Sequence, residues 1–195
     1  MISEIAERRS IRKYKEKPVP QAMIKEIIQA GALAPSSKNR QPWKFTVVTG
    51  NAKEEMLEVF RQGLERERIS PLLPESAGHL GGAAYTLEIM RQAPAVIFCI
   101  HTLGLSLSQT LTVEERVSEI CNVQSIGAAL ENMTLAAAGL GLGSLWICDT
   151  YFAQPELCRW LQTEGLAAAM AIGYADEAPA ARPRKKVDEM IEWRS

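Results

Sequence analysis

Arg8-Arg9-Ser10-Ile11-Arg12 is the first stretch of this 195-residue chain whose residue types could do chemistry. In extended backbone, Arg8, Ser10 and Arg12 fall on one side, because successive side chains alternate. Two guanidiniums and a hydroxyl converging there make a receptor for a phosphate dianion, whose oxygens match the arginine fork. A solvated basic stretch is the other reading. A second cluster, Arg182-Pro183-Arg184-Lys185-Lys186, stands near the opposite end, and alone it reads as a solvated tail. The chain carries a net charge of only −1 and so has little spare positive charge. The two clusters could share one phosphate, within a subunit or across a dimer.

Between them, Ala34–Trp43 reads APSSKNRQPW. Pro35 and Pro42 fix φ at both ends, and Pro42 also restricts Gln41. Ser36, Ser37, Asn39 and Gln41 then present neutral donors and acceptors on a stiff support, which suits a planar heterocycle with several ring N–H and C=O groups. A self-satisfied helix cap and turn is the alternative. Gly139-Leu-Gly-Leu-Gly143 has the glycine content of a dinucleotide site but the wrong order: helix, glycines, then strand. It reads as a helix stop with close packing. Cys99, Cys121, Cys148 and Cys158 form no CxxC, and His79 and His101 sit in no motif. Zinc-ligand spacing is absent, and the cysteines read as reduced core residues. With neither a protein nucleophile nor a metal, hard chemistry falls to an organic cofactor.

The elements that must position these groups follow from hydrophobic spacing. Short helical spacing covers 2–9, and longer helical patterns cover 20–33, 52–66, 82–92 and 153–163. Thr112-Val-Glu-Glu115 has the capping-box pattern and opens the longest helix, to about Ala138. That helix is apolar nearly all round, as a central helix or a dimer face would be. Strand-like runs cover 44–49, 95–100, 144–148 and 167–174, and the second of these is apolar enough to be covered on both faces. Residues 67–80 read as a mobile excursion and 102–112 as ambiguous. The pattern is helices and strands layered around one sheet. It gives one domain over 1–174, with a variable excursion around 62–115. The extension 175–195 is too polar to fold alone and must pack on the domain or a partner subunit.

Composition excludes several classes. The chain is 47% hydrophobic and 23% charged, ordinary for a globular protein. Its charge attracts neither nucleic acid nor an anionic membrane. The start lacks an apolar core with a cleavage site, and no run reaches the roughly 18 apolar residues that span a bilayer. A cytoplasmic protein is the expectation.

In chain order, RRSIRKY, APSSKNRQPWKF, LENMTLAAAGLGLGSLWIC and the basic PRKK tail resemble the FMN-dependent nitroreductase family. The likeness covers most of the chain, with 62–115 the least familiar part. It implies an α+β three-layer sandwich with a central mixed, mainly antiparallel β-sheet flanked by helices. It also implies a homodimer with FMN at the subunit interface. Arg8, Arg9, Ser10 and Arg12 match the family's N-terminal flavin contacts. Pro35, Ser36, Ser37 and Asn39 match the loop along the isoalloxazine, with Trp43 anchoring that loop to the core. Leu145, Trp146 and Ile147 align with the segment that passes the flavin. Arg182 and Arg184 match the C-terminal phosphate-binding cations, with Lys185 or Lys186 as alternatives, and Asn132 takes a structural role on the central helix. Larger members carry a Pro-Ile-Glu-Gly type segment near flavin N5, whereas this chain has Trp146-Ile147-Cys148-Asp149, like the shorter branch. The implied reaction is ping-pong: NADH or NADPH reduces FMN, and a nitroaromatic, quinone or similar small acceptor takes the electrons. Arg12 near the pyrimidine edge would stabilise negative charge on reduced flavin. No side chain is assigned as acid or base. Reductive dehalogenation, flavin fragmentation, or FMN binding without turnover are the alternatives.

Overall fold

The run Ala95–His101 has no polar face until its last residue, so it needs cover on both sides and forms the centre of the fold. The computed structural model describes residues 2–194. Its helices and strands, in chain order, are α1 (Ser3–Glu7), α2 (Gln21–Ala32), β1 (Trp43–Val48), α3 (Asn51–Ile69), α4 (Leu80–Gln92), β2 (Ala95–His101), α5 (Val113–Gly139), β3 (Gly143–Ile147), α6 (Gln154–Leu161) and β4 (Leu166–Gly173). The sheet order is β1-β2-β4-β3, and each neighbouring pair is antiparallel. The mixed character expected of the sheet is confined to one parallel bridge, Ser10 with Ser144, on the outer edge of β3.

Strand alternation divides the core in two. Val96, Phe98, Ile100, Ala169 and Ala171 share a cluster with Phe60, Met90 and Leu157 from α3, α4 and α6. Ala95, Ile97, Cys99, Ala168, Met170 and Ile172 share the other with Ile27, Leu130 and Met133 from α2 and α5. Helices therefore cover both faces of the sheet, giving the three expected layers. Each fully buried Leu, Ile, Phe or Met contributes about 1.5–3 kcal/mol relative to exposure.

Several expectations needed correction. Residues 67–80 are not a loose excursion: α3 continues through Ile69, a 3₁₀ turn spans Pro74–His79, and α4 begins at Leu80. Glu67 anchors this region. Its carboxylate accepts the N–H groups of Leu72 at 3.0 Å and Leu73 at 2.6 Å, and pairs with Arg66. Arg66 also bridges to Glu156 on α6 at 3.1 Å. The ambiguous stretch 102–112 forms no helix or strand. Of the four cysteines only Cys99 is fully buried, and Cys148 is exposed. The capping box at the start of α5 forms as read: Thr112 N–H donates to Glu115 at 2.8 Å and Glu115 N–H to Thr112 Oγ1 at 3.2 Å.

After α1 the chain runs extended beside β3. Ile11 N–H donates to Ser144 O at 3.0 Å and Lys15 N–H to Tyr174 O at 2.9 Å. Ile11 sits so close that a Cβ on Gly143 would lie 2.7 Å from its Cγ1, which explains the glycine. Gly141 takes φ +72°, the left-handed turn that stops α5. Residues 180–194 lie exposed along the surface.

Candidate functional site

The extended arm and the C-terminal extension meet at one cavity of about 280 Å³. Its walls carry Arg8, Arg9, Ser10 and Arg12 from one end of the chain and Arg182 and Arg184 from the other, with no carboxylate among them. The convergence read from the sequence thus occurs within one protomer. Arg9 joins it as well, because its Nη1 folds back on Ala6 O and Arg8 O, both at 2.8 Å. Glu131 on α5 accepts from Arg8 Nε at 3.1 Å, while Thr134 Oγ1 donates to the same carboxylate at 3.0 Å. This fixes one edge of the Arg8 fork. Among the described residues neither Arg182 nor Arg184 pairs with a carboxylate. Lys185 and Lys186 do not line the cavity. Arg8 is compensated by Glu131, whereas among the described residues Arg9, Arg12, Arg182 and Arg184 form no ion pair with a carboxylate, a concentration of positive charge that suits an anion. A second cavity of about 620 Å³ adjoins it, sharing Arg8, Arg9 and Pro179 and reaching Ser144 and Thr134.

The Ala34–Trp43 loop is folded more tightly than its prolines alone require. Lys38, Asn39 and Gln41 take φ of 54°, 53° and 48°, left-handed backbone that costs about 1–3 kcal/mol per non-glycine residue and persists only under strong constraint. Ser36 Oγ accepts from Gln41 N–H at 3.0 Å, and Asn39 Oδ1 from Gln41 Nε2 at 3.3 Å. Ser37 N–H donates to Ser125 Oγ on α5 at 3.2 Å. Arg40 also turns to α5, donating to Ser118 Oγ at 2.9 Å and Asn122 Oδ1 at 3.3 Å. Trp43 packs on the α2–α5 core cluster. Pro35 and Asn39 are exposed and Ser36 and Ser37 half-buried, so the outer side of the loop is open. No residue of this loop lines either arginine cavity.

On β3 the three residues matched to the flavin segment separate. Leu145 and Ile147 point into the core beneath α3, α4 and α6, so only their backbone is open to a ligand. Trp146 points the other way, 38% exposed on an otherwise buried strand, with its Cη2 3.6 Å from where a Cβ of Gly127 would stand. Period-2 alternation forces this split.

Among the described residues, the cysteine thiols that shift all do so away from an activated nucleophile. Burial pushes the Cys99 thiol up to about 12, and burial with Asp149 raises that of Cys148. Burial lowers the His101 imidazole below its ordinary value, although Glu119 lies 3.2 Å from Nε2 and opposes the shift. His101 Nδ1 accepts from Leu103 N–H at 3.2 Å, so the proton of the neutral ring sits on Nε2. Asn132, given a structural role, donates to Ala30 O at 3.1 Å and ties α5 to α2. Ser118, Asn122, Ser125 and Glu131 escaped the sequence reading. For Ser118, Asn122 and Ser125 the signal was present, as polar residues at i, i+4 and i+7 on a largely apolar helix.

Fold and site together define a three-layer α+β protein with an arginine-walled cavity beside the β3 edge of its sheet. The chain belongs to the nitroreductase family, whose model matches residues 5–174. It is 30% identical to the chloronitrobenzene nitroreductase of Comamonas testosteroni, across 90% of this chain and 87% of that protein. It is 28% identical to the nitrobenzene nitroreductase of Ectopseudomonas oleovorans, across 89% and 86%. The fold is also that of the FMN-dependent nitroreductase from Mycobacterium smegmatis, solved in complex with NADPH: TM-score 0.73 at 20% identity, covering 98% of this chain and 96% of that one.

Proposed function

We propose that this protein is an NAD(P)H-dependent FMN oxidoreductase. Its acceptor would be a nitroaromatic, a quinone or a similar small molecule, reduced in a ping-pong cycle. The observation that carries this reading is the meeting of Arg8, Arg9, Arg12, Arg182 and Arg184 at one cavity without a carboxylate. A flavin mononucleotide fits it, since the cavity supplies charge for a phosphate and the neighbouring edge of β3 supplies an exposed aromatic ring. FMN when bound provides hydride acceptance and its return to an oxidised substrate. Arg8, Arg9, Arg182 and Arg184 hold the phosphate, Ser10 lies beside them, and Arg12 places positive charge toward the ring edge. Trp146 offers a face for stacking, and Pro35, Ser36, Ser37 and Asn39 wall the isoalloxazine.

A homodimer completes the site. Within one protomer the loop and the arginines do not share a cavity, and α5 leaves Val113, Val117, Ile120 and Val123 exposed. The extension likewise exposes Val187, Met190, Ile191 and Trp193, the last at 88%. A second copy seated on these surfaces would bring the loop of one subunit to the arginines of the other. Purified protein equilibrated with FMN is the test. The expected result is a yellow protein that NADH or NADPH bleaches under anaerobic conditions and nitrobenzene re-oxidises. A protein that takes up no FMN refutes the reading. One that binds FMN but accepts hydride from neither nicotinamide is an FMN-binding protein without turnover. Arg8→Ala with Arg12→Ala should abolish retention of FMN on desalting.

A further inference from the structure

Asn122 and Ser125 are 2% and 6% exposed, on a helix otherwise packed with Ile126, Ala129, Leu130 and Met133. Buried polar side chains persist where partners satisfy them. Here those partners come from the 34–43 loop. Arg40 Nη1 reaches Ser118 Oγ and Asn122 Oδ1, Ser37 N–H reaches Ser125 Oγ, and the Ser125 hydroxyl donates to Cys121 O at 2.8 Å. Residues 118, 122 and 125 recur at i, i+4 and i+7 and line one stripe of α5. The stripe therefore works as a rack onto which the loop is hung.

The loop needs such a rack. Arg40 stands between Asn39 and Gln41, both left-handed, and directly follows Lys38 and Asn39, whose φ values of 54° and 53° an unrestrained chain would abandon. Two further bonds, Asn39 N–H to Ser36 O at 2.9 Å and Arg40 N–H to Ser37 O at 3.1 Å, are local and move with the loop. Among the described residues, the hydrogen bonds that tie its curled part to α5 are those of Arg40 and Ser37. A third anchor, Thr102 N–H to Pro42 O at 3.1 Å, holds the end nearest β1.

We infer that Arg40 is a positioning residue: it clamps Ser36–Asn39 against α5 in the shape that meets the isoalloxazine, without touching the flavin itself. This rests on the flavin reading above. Preorganisation of this kind shows as affinity and as the environment of the bound ring, rather than as fold stability.

The test compares wild-type holoprotein with Arg40→Ala, Arg40→Lys and Ser118→Ala. FMN dissociation constants, the visible circular dichroism of bound flavin, and amide exchange over residues 36–41 are measured for each. Arg40→Ala should bind FMN roughly tenfold more weakly, alter the visible dichroism and speed exchange in 36–41, while exchange in the strands stays as in wild type. Arg40→Lys should recover much of the dichroism, because an ammonium reaches one of the two acceptors. Should Arg40→Ala fail to fold, Ser118→Ala decides, with a smaller shift in the same direction. Wild-type affinity and dichroism in the variant that folds would overturn the role of Arg40 and leave the flavin reading intact. Wild-type protein that takes up no FMN would instead overturn that reading, and the clamp with it.

Discussion

Glu67 keeps its negative charge while almost out of contact with water, and the pH dependence of stability should register it. Burial opposes that charge, yet the N–H groups of Leu72 and Leu73 and the Arg66 guanidinium hold the carboxyl below its ordinary value. A carboxylate whose folded pKa lies below the unfolded value of about 4.3 adds stability at higher pH, and that stability is lost as pH falls through the folded value. Glu67→Gln should therefore cost about 2–3 kcal/mol near neutrality. The gap from wild type should narrow in urea unfolding as pH falls below the unfolded carboxylate value of about 4.3 and through the lower folded value; a constant gap would mean the charge contributes nothing. At this scale the sequence was legible where residue type alone carries meaning, as at Arg8, Arg12 and Arg182. It was silent on Glu67, whose partner Arg66 is also held by Glu156 on α6. No local pattern announces such a meeting, so a firmly bound turn read as a loose one.

Elements were easier to read than their junctions. The strands declared themselves through apolar runs that need two-sided cover, and α5 through the reciprocal hydroxyl–carboxylate pattern at its start. That box caps the longest helix, which carries both the rack beneath the loop and the Glu131 that orients Arg8. Thr112→Ala should cost about 1 kcal/mol, with Thr112→Ser near wild type, measured by chemical denaturation; equal losses in the two would show that the hydroxyl is not what matters. Strand parity sets a further limit: Leu145 and Ile147 face opposite to Trp146, so they cannot all meet one ligand through side chains. The 34–43 loop was legible as rigid and polar, but not the left-handed backbone of Lys38, Asn39 and Gln41, which non-glycine residues adopt only under tertiary constraint.

For the whole molecule, the proposed sharing of a site between subunits makes a prediction that no single-chain site would. One variant is given a disabled cavity, Arg8→Ala with Arg182→Ala, and another a disabled loop, Ser37→Pro with Asn39→Ala. Each alone should purify with little FMN. Co-expressed with different tags and purified through both, the heterodimer pairs one intact cavity with one intact loop and should retain about one FMN per dimer. A colourless heterodimer would place loop and arginines in the same subunit's site, or in none. The meeting of the two basic clusters within one chain was legible in outline, because the chain has little spare positive charge. Their meeting depends on the bridge between Ser10 and Ser144 and on the path of 178–182, which only the folded chain displays.

That meeting also sets an order in time. At about 5–20 residues added per second, the ribosome delivers Arg182 roughly ten to thirty seconds after Arg8. The partner of Ser10, Ser144, likewise emerges late. Every strand is complete by Gly173, whereas the cavity still lacks Arg182 and Arg184. The proposed anion site therefore belongs to the chain that has passed Arg184, and a message truncated just past the last strand encodes every described strand but only three of the five arginines that line the cavity.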